Sequence, residues 1–146
     1  MTELADLVLN SPDTNTVLFV QAKATNSPSP EWAGRFARNL LAGRQLPANL
    51  YFLLVLRNEL YLWKHRPVEG ADLPDVAAKT AEVLRPYLEG IKTPLGEITG
   101  DSFELLVRSC LVDLSEGNAP ESVETWARGA GLARFANAVL RQDQPN

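Results

Sequence analysis

Hydrophobic residues in the first half of the chain form four short runs with the composition of β-strands. These runs lie at residues 4–10, 16–24, 50–56 and 60–63. Turn-forming residues at 11–15 separate the first two runs, and a short polar segment at 57–59 separates the last two. The pattern therefore predicts two β-hairpins.

A helix is predicted between the two hairpins, from Pro30 to about Ala42. Ser29 is a suitable N-cap, and proline is well suited to the first helical position. Apolar residues then recur at helical spacing, and Gly43 ends the segment. The members of this apolar stripe are Trp32, Ala33, Phe36, Ala37, Leu40 and Leu41.

After Trp63 the pattern predicts a loop followed only by helices. They are expected at residues 75–89, 101–114 and 122–141, the second with Asp101 and Glu104 at the spacing of a capping box. The chain is accordingly predicted to be a single α/β domain, residues 1–146. Its core would lie at 4–66, with C-terminal helices at 75–142 packed on that core.

Composition narrows the possible chemistry. The 146 residues are 45% hydrophobic and 22% charged, as in an ordinary globular domain. The single cysteine, Cys110, and the single histidine, His65, exclude an intramolecular disulfide and metal centres rich in Cys or His. Cys110 falls on an apolar helical stripe and is expected to be buried. Any metal would have to be held by oxygen ligands.

The formal charge of −4 and the dispersed Lys and Arg residues argue against tight, non-specific nucleic-acid binding, although a local basic face remains compatible with them. The N-terminus has no basic, apolar signal sequence, and no window has the ~18–20 apolar residues that span a bilayer. We therefore expect a cytoplasmic protein without a membrane association.

The first hairpin brings three polar residues to one face. A loop of residues 12–15 pairs Ser11 with Thr16 and hence Asp6 with Gln21. Lys23 lies two residues beyond Gln21 and points to the same face, diagonal to Asp6. A carboxylate, an amide oxygen and an ammonium group in this arrangement can hold a divalent ion and a water molecule. A register slip of one residue would separate them.

With Asp6 in ADLVL (residues 5–9) and Gln21 and Lys23 in VQAK (residues 20–23), the sequence resembles the PD-(D/E)XK nuclease superfamily. These nucleases have an acidic residue near one strand end and E-x-K on the next strand. The resemblance covers about residues 5–65. It implies a restriction-endonuclease-like α/β fold with a mixed sheet of about four strands flanked by helices. Asp13 of the literal Pro12-Asp13 pair is expected in the hairpin turn, outside the site.

The resemblance implies roles for individual residues. Asp6 and Gln21 would hold Mg²⁺ or Mn²⁺, and Lys23 would orient or activate the water that hydrolyses DNA. Gln21 stands where the superfamily usually has Glu, so the chain carries a Q-x-K variant. Glu31, on the following helix, is the nearest alternative carboxylate.

Further side chains are candidates for nucleic-acid contact. Arg35, Arg38 and Asn39 lie on the helix after the site and could contact the DNA backbone, although arginines in this position more often belong to the solvated face of an amphipathic helix. Three aromatic residues could stack on bases, but their helical or strand spacing predicts burial in the core. They are Trp32, Tyr61 and Trp63.

Two functions remain open at this level. The first is a Mg²⁺-dependent nuclease acting on DNA. The second is a catalytically weak or inactive descendant that serves as a binding or assembly subunit, which the neutral Gln21 favours. The superfamily normally has a helix and a strand before the Asp strand, whereas Asp6 stands close to the first residue here. Exposed sheet and helix surface at that place predicts a homodimer.

Overall fold

A computed structural model describes residues 7–12 and 16–141, which form a mixed α/β structure around a six-stranded sheet. In chain order the elements are β1 (Leu7–Asn10), β2 (Val17–Ala22), α1 (Pro30–Leu41), β3 (Leu50–Val55), β4 (Glu59–Trp63), β5 (Val76–Lys79), α2 (Thr80–Val83), α3 (Arg85–Leu88), α4 (Gly100–Glu116), α5 (Glu121–Gly129) and β6 (Val139–Arg141). Within the described ranges, no helix has the length and apolar character needed to cross a membrane.

The first hairpin has the predicted register. In β1 and β2, Leu7 lies opposite Val20 in an antiparallel ladder, and the Ser11 N–H donates to the Thr16 carbonyl at 2.9 Å. Apolar side chains on alternating sides of both strands pack against the two faces of the sheet, which holds this alignment. Asp6 and Asp13 lie outside the described residues.

Helix α1 begins as predicted and makes the crossover from β2 to β3. The Ser29 Oγ accepts a hydrogen bond from the Trp32 N–H at 3.1 Å, and Pro30 occupies the first turn. β2 and β3 are parallel, with Gln21 beside Leu54. Because the helix returns the chain to the start of β3, the N-terminal end of α1 lies near the C-terminal ends of both strands.

The sheet has an apolar layer on each face. Under α1, the fully buried side chains include Phe52, Tyr61 and Trp63, so the expectation that Tyr61 and Trp63 belong to the core is confirmed. The opposite face packs against the C-terminal helices. Cys110 of α4 is buried in that layer, as predicted, and burial raises the pKa of its thiol to about 12.

The prediction that only helices follow Trp63 is wrong. Strand β5 pairs with β4, and β6 pairs with β1, so the sheet order is β5-β4-β3-β2-β1-β6 and the strands number six instead of about four. Both added strands lie at edges of the sheet. Strand β5 is short and half-exposed, and its small residues Ala77 and Ala78 carry little of the β-branched signal that marks buried strands.

The helix predicted at residues 75–89 is replaced by β5 and two short helices. Helix α3 begins at Arg85 with Pro86 in its first turn, because proline has no N–H to continue the preceding helix. The helix predicted at 101–114 exists as α4. Its N-cap is Thr99 instead of Asp101, since the Thr99 Oγ1 accepts from the Ser102 N–H at 3.3 Å.

The last predicted helix, residues 122–141, is too long. Helix α5 ends at Gly129, and Gly131 adopts a φ of 82°, a left-handed conformation that glycine accepts without strain. A 3₁₀ turn, Ala133–Phe135, then leads into β6. The two glycines that interrupt the apolar pattern therefore mark the real helix end.

Candidate active site

Gln21 is a buried polar residue on the face of the sheet that α1 covers. It lies two positions after Phe19, which packs in the α1 layer, so their side chains point to the same face. Gln21 is only 9% exposed, and its Oε1 has no hydrogen-bond partner within the described part of the chain. An unsatisfied buried oxygen costs about 1–3 kcal/mol, so a ligand that binds to this oxygen would remove that cost.

Lys23 follows on the same face and reaches solvent. Its backbone N–H donates to the Val55 carbonyl at 3.0 Å, which extends the parallel pairing of β2 and β3 by one residue. Its ammonium nitrogen lies 5.9 Å from the ring centroid of Phe36 in α1. The structure thus brings Gln21 and Lys23 to one side of the sheet, as the strand alternation predicts.

The loop after Lys23 is fastened to the turn between β3 and β4. The Asn58 side chain accepts from the Ser27 N–H at 2.8 Å and donates to the Ser27 carbonyl at 2.7 Å. The Tyr61 hydroxyl donates to the Ser27 Oγ at 3.0 Å, and the Arg57 N–H donates to the Thr25 carbonyl at 2.8 Å. The sequence pattern predicts only a turn at Asn58 and carries no signal for these two hydrogen bonds.

Gln21 is the described residue of the predicted site that offers an oxygen ligand for a hard cation. Mg²⁺ and Mn²⁺ prefer oxygen ligands, and the unpartnered Gln21 Oε1 is a neutral oxygen of that kind. Across residues 7–12 and 16–141, no group of three His, Cys, Asp or Glu side chains could hold a metal ion. Asp6, the other predicted ligand, lies outside these ranges and stays a prediction.

Glu31, the alternative carboxylate, lies on another side of α1. It lines a groove of about 510 Å³ together with Arg35, Arg38 and Asp72. Phe36, which contacts Lys23, is five residues further along the helix and therefore about 140° around its axis. The structure does not bring Glu31 to the side of the helix that Lys23 contacts.

Arg38 is engaged within the fold. Its Nη1 lies 3.0 Å from the Asp72 Oδ2, and the Asp72 carbonyl accepts from the Trp63 Nε1 at 2.7 Å. Gly34 permits this approach, because a Cβ there would come within 2.4 Å of the Asp72 carbonyl oxygen. The other two predicted nucleic-acid contacts, Arg35 and Asn39, are exposed on α1.

Comparisons with protein-family models, with curated proteins and with solved structures find no match. Residue chemistry and the geometry around β2 therefore carry the functional assignment. Two features of that geometry are specific: a buried amide oxygen without a partner and an exposed lysine two residues later on the same face.

Proposed function

We propose that the chain is a metal-dependent DNA nuclease of the PD-(D/E)XK type, with Asp6, Gln21 and Lys23 as its site. The unpartnered Gln21 Oε1 carries this proposal, because a buried polar atom is normally satisfied and a bound cation would satisfy it. The predicted hairpin register and the parallel β2–α1–β3 crossover support it further.

Each residue has a distinct role in this proposal. Gln21 offers its amide oxygen, and Asp6 its carboxylate, to the divalent ion. When bound, the ion supplies positive charge to the scissile phosphate. The Lys23 ammonium group is free to orient the attacking water or to stabilise the developing negative charge. Because Gln21 is neutral, we expect weaker metal affinity than a glutamate at this position would give.

A second candidate function is a disarmed nuclease fold that binds DNA or assembles with other proteins. The neutral side chain of Gln21 favours it, together with the lack of a carboxylate cluster among the described residues. In this alternative the exposed Lys23 and Arg35 contribute to binding instead of catalysis.

Cleavage of supercoiled plasmid and of single-stranded DNA with Mg²⁺ or Mn²⁺ separates the two functions. The nuclease proposal predicts that Lys23→Ala lowers the rate by about 100-fold or more, whereas the exposed-lysine control Lys92→Ala leaves it unchanged. Activity in Gln21→Glu alone would support the disarmed fold. If neither the wild type nor Gln21→Glu cleaves DNA, the nuclease proposal is overturned.

Metal binding needs a readout that does not require cleavage. Gln21→Glu buries a carboxylate, so we expect a lower melting temperature than wild type without metal and a larger rise on adding Mn²⁺. Equal Mn²⁺ shifts in both proteins would argue against a metal ligand at position 21.

The predicted homodimer also remains a proposal. Light scattering at micromolar concentration should give twice the 16.0 kDa mass of the chain. A monomer mass at that concentration would contradict it. The same samples can be titrated with DNA, which tests whether assembly and binding are linked.

A further inference from the structure

Two aromatic rings on α1 stack on each other and reach the surface. The ring centroids of Trp32 and Phe36 lie 5.4 Å apart with an interplanar angle of 21°. Both residues are half-buried, whereas Tyr61 and Trp63 are buried almost completely. Base stacking is thus closed to the two buried aromatic residues, and it remains open to Trp32 and Phe36.

Cationic and polar side chains surround this pair. Trp32, Arg35, Phe36 and Asn39 follow the i, i+3, i+4, i+7 spacing and form one stripe along the helix, with Arg35 at its edge, where it also lines the groove beside Glu31 and Arg38. Lys23 joins them through its position 5.9 Å from the Phe36 ring. We call these five residues the aromatic–basic face. None of the ion pairs among the described residues includes Arg35 or Lys23.

We propose that the aromatic–basic face binds single-stranded DNA, with an unpaired base stacked on Trp32 and phosphates contacting Lys23 and Arg35. This inference rests on the proposed function in its choice of DNA. Every base has a planar face that an indole can stack on, and positive charge tracks the backbone. A duplex hides those faces between its base pairs, so unpaired nucleotides fit this surface better.

Binding on the aromatic–basic face would restrict which DNA substrates the candidate nuclease accepts. Lys23 belongs both to the candidate site and to the aromatic–basic face. A strand held by Trp32 would therefore have its backbone close to Gln21 and Lys23. Single strands, or unpaired ends of duplexes, become the expected substrate class.

Binding is tested with EDTA present, so that cleavage cannot occur. The probes are a 12-mer of thymidylate, an abasic 12-mer with the same phosphates, and a 12-base-pair duplex. Stacking predicts that the abasic strand binds about 5- to 150-fold more weakly than the thymidylate strand. Equal affinity for these two strands would overturn the proposal, and so would tighter binding of the duplex.

Variants at Trp32 locate the stacked base. Trp32→Ala should weaken thymidylate binding by a similar factor, while Trp32→Phe retains most of it. Trp126→Ala removes a half-buried tryptophan from α5 and is the matched control, with affinity expected to be unchanged. A folded Trp32→Ala protein that binds as wild type does would exclude the proposed contact.

Fluorescence gives a measurement that does not depend on the folding of Trp32→Ala. In Trp126→Phe, the remaining tryptophans are the surface residue Trp32 and the fully buried Trp63. The thymidylate strand should quench this fluorescence, and the abasic strand should not. Unchanged fluorescence on binding of the thymidylate strand would overturn the proposal. Quenching that increases with protein concentration in the absence of DNA would also overturn it, because it would show that a second copy of the chain covers Trp32.

The two proposals can fail separately. Stacking-dependent binding without any metal-dependent cleavage would support the aromatic–basic face and refute the nuclease. Cleavage that Lys23→Ala removes, combined with equal binding of abasic and thymidylate strands, would refute the single-strand inference and leave the nuclease proposal intact.

Discussion

The two sides of helix α1 use their polar groups in opposite ways. On one side, Arg38 pairs with Asp72, whose backbone carbonyl accepts from Trp63. On the other side, Lys23 reaches solvent and the Gln21 Oε1 has no partner within the described residues. Arg38 and Asp72 therefore hold the fold together, whereas Gln21 and Lys23 are available for a ligand. Tests of stability and of binding should separate the two sides.

On the side of α1 that faces Asp72, the largest loss of stability is expected at Gly34. Gly34→Ala would place a Cβ 2.4 Å from the Asp72 carbonyl oxygen, which is backbone and cannot move aside easily. We expect a loss of about 3 kcal/mol of unfolding free energy, or roughly 10 °C in melting temperature. Gly129→Ala is the control, because nothing lies within 4 Å of its Cβ position. Equal melting temperatures for the two variants would show that the loop yields freely.

On the side of Gln21 and Lys23, the largest loss of stability is expected at Asn58. Asn58→Ala removes both hydrogen bonds to the Ser27 backbone, and we expect a loss of about 2 kcal/mol in a urea titration. Asn58→Asp keeps the acceptor but loses the donor and should fall between wild type and alanine. Faster hydrogen exchange at the Ser27 amide would locate the effect, and an unchanged rate there would contradict it.

Gln21 should respond in the opposite direction. Gln21→Met keeps the length of the side chain and removes the buried oxygen without a partner, so stability should rise by about 1 kcal/mol. The same change should abolish any stabilisation by Mn²⁺. Thermal melts with and without the metal measure both effects. A loss of stability in metal-free buffer would mean that the oxygen is already satisfied.

Arg38 and Arg35 should give the smallest effects and the clearest division of roles. The Arg38 and Asp72 side chains are 30% and 18% exposed, so solvent screening limits the loss in Arg38→Ala to about 0.5–1 kcal/mol. Single-strand affinity should not change. Arg35→Ala should leave stability unchanged. It should reduce the slope of log affinity for single strands against log salt concentration by the amount of about one phosphate contact. Loss of stability in Arg35→Ala, or loss of single-strand affinity in Arg38→Ala, would refute the contrast between the two sides.

Local signals were sufficient to predict much of the first half of the fold. The turn residues and alternating apolar positions of the first hairpin set its register, with Leu7 opposite Val20. Ser29 and Pro30 marked the start of α1. The shared face of Gln21 and Lys23 follows from the same alternation. These features depend on residues close together in the chain, which explains why the pattern contained them.

The remaining features depend on contacts between distant segments. β5 and β6 become strands because β4 and β1 offer them open edges, and their own residues carry a weak strand signal. The division between Arg35 and Arg38 depends on Asp72, which a loop after β4 brings to Gly34. Arg35 and Arg38 are three residues apart and line the same groove, so periodicity along α1 cannot reveal that Arg38 is the one that pairs with Asp72.

The pairing of β1 with β6 has a consequence for the order of folding. These strands come from opposite ends of the described chain, so closing this ladder brings the most distant segments together. Such long-range closure carries a large entropic barrier and slows folding. The β2–α1–β3 unit, by contrast, joins neighbouring segments. We therefore expect the unit that contains Gln21 and Lys23 to form early, and β1 to acquire its outer neighbour only in the last step of folding.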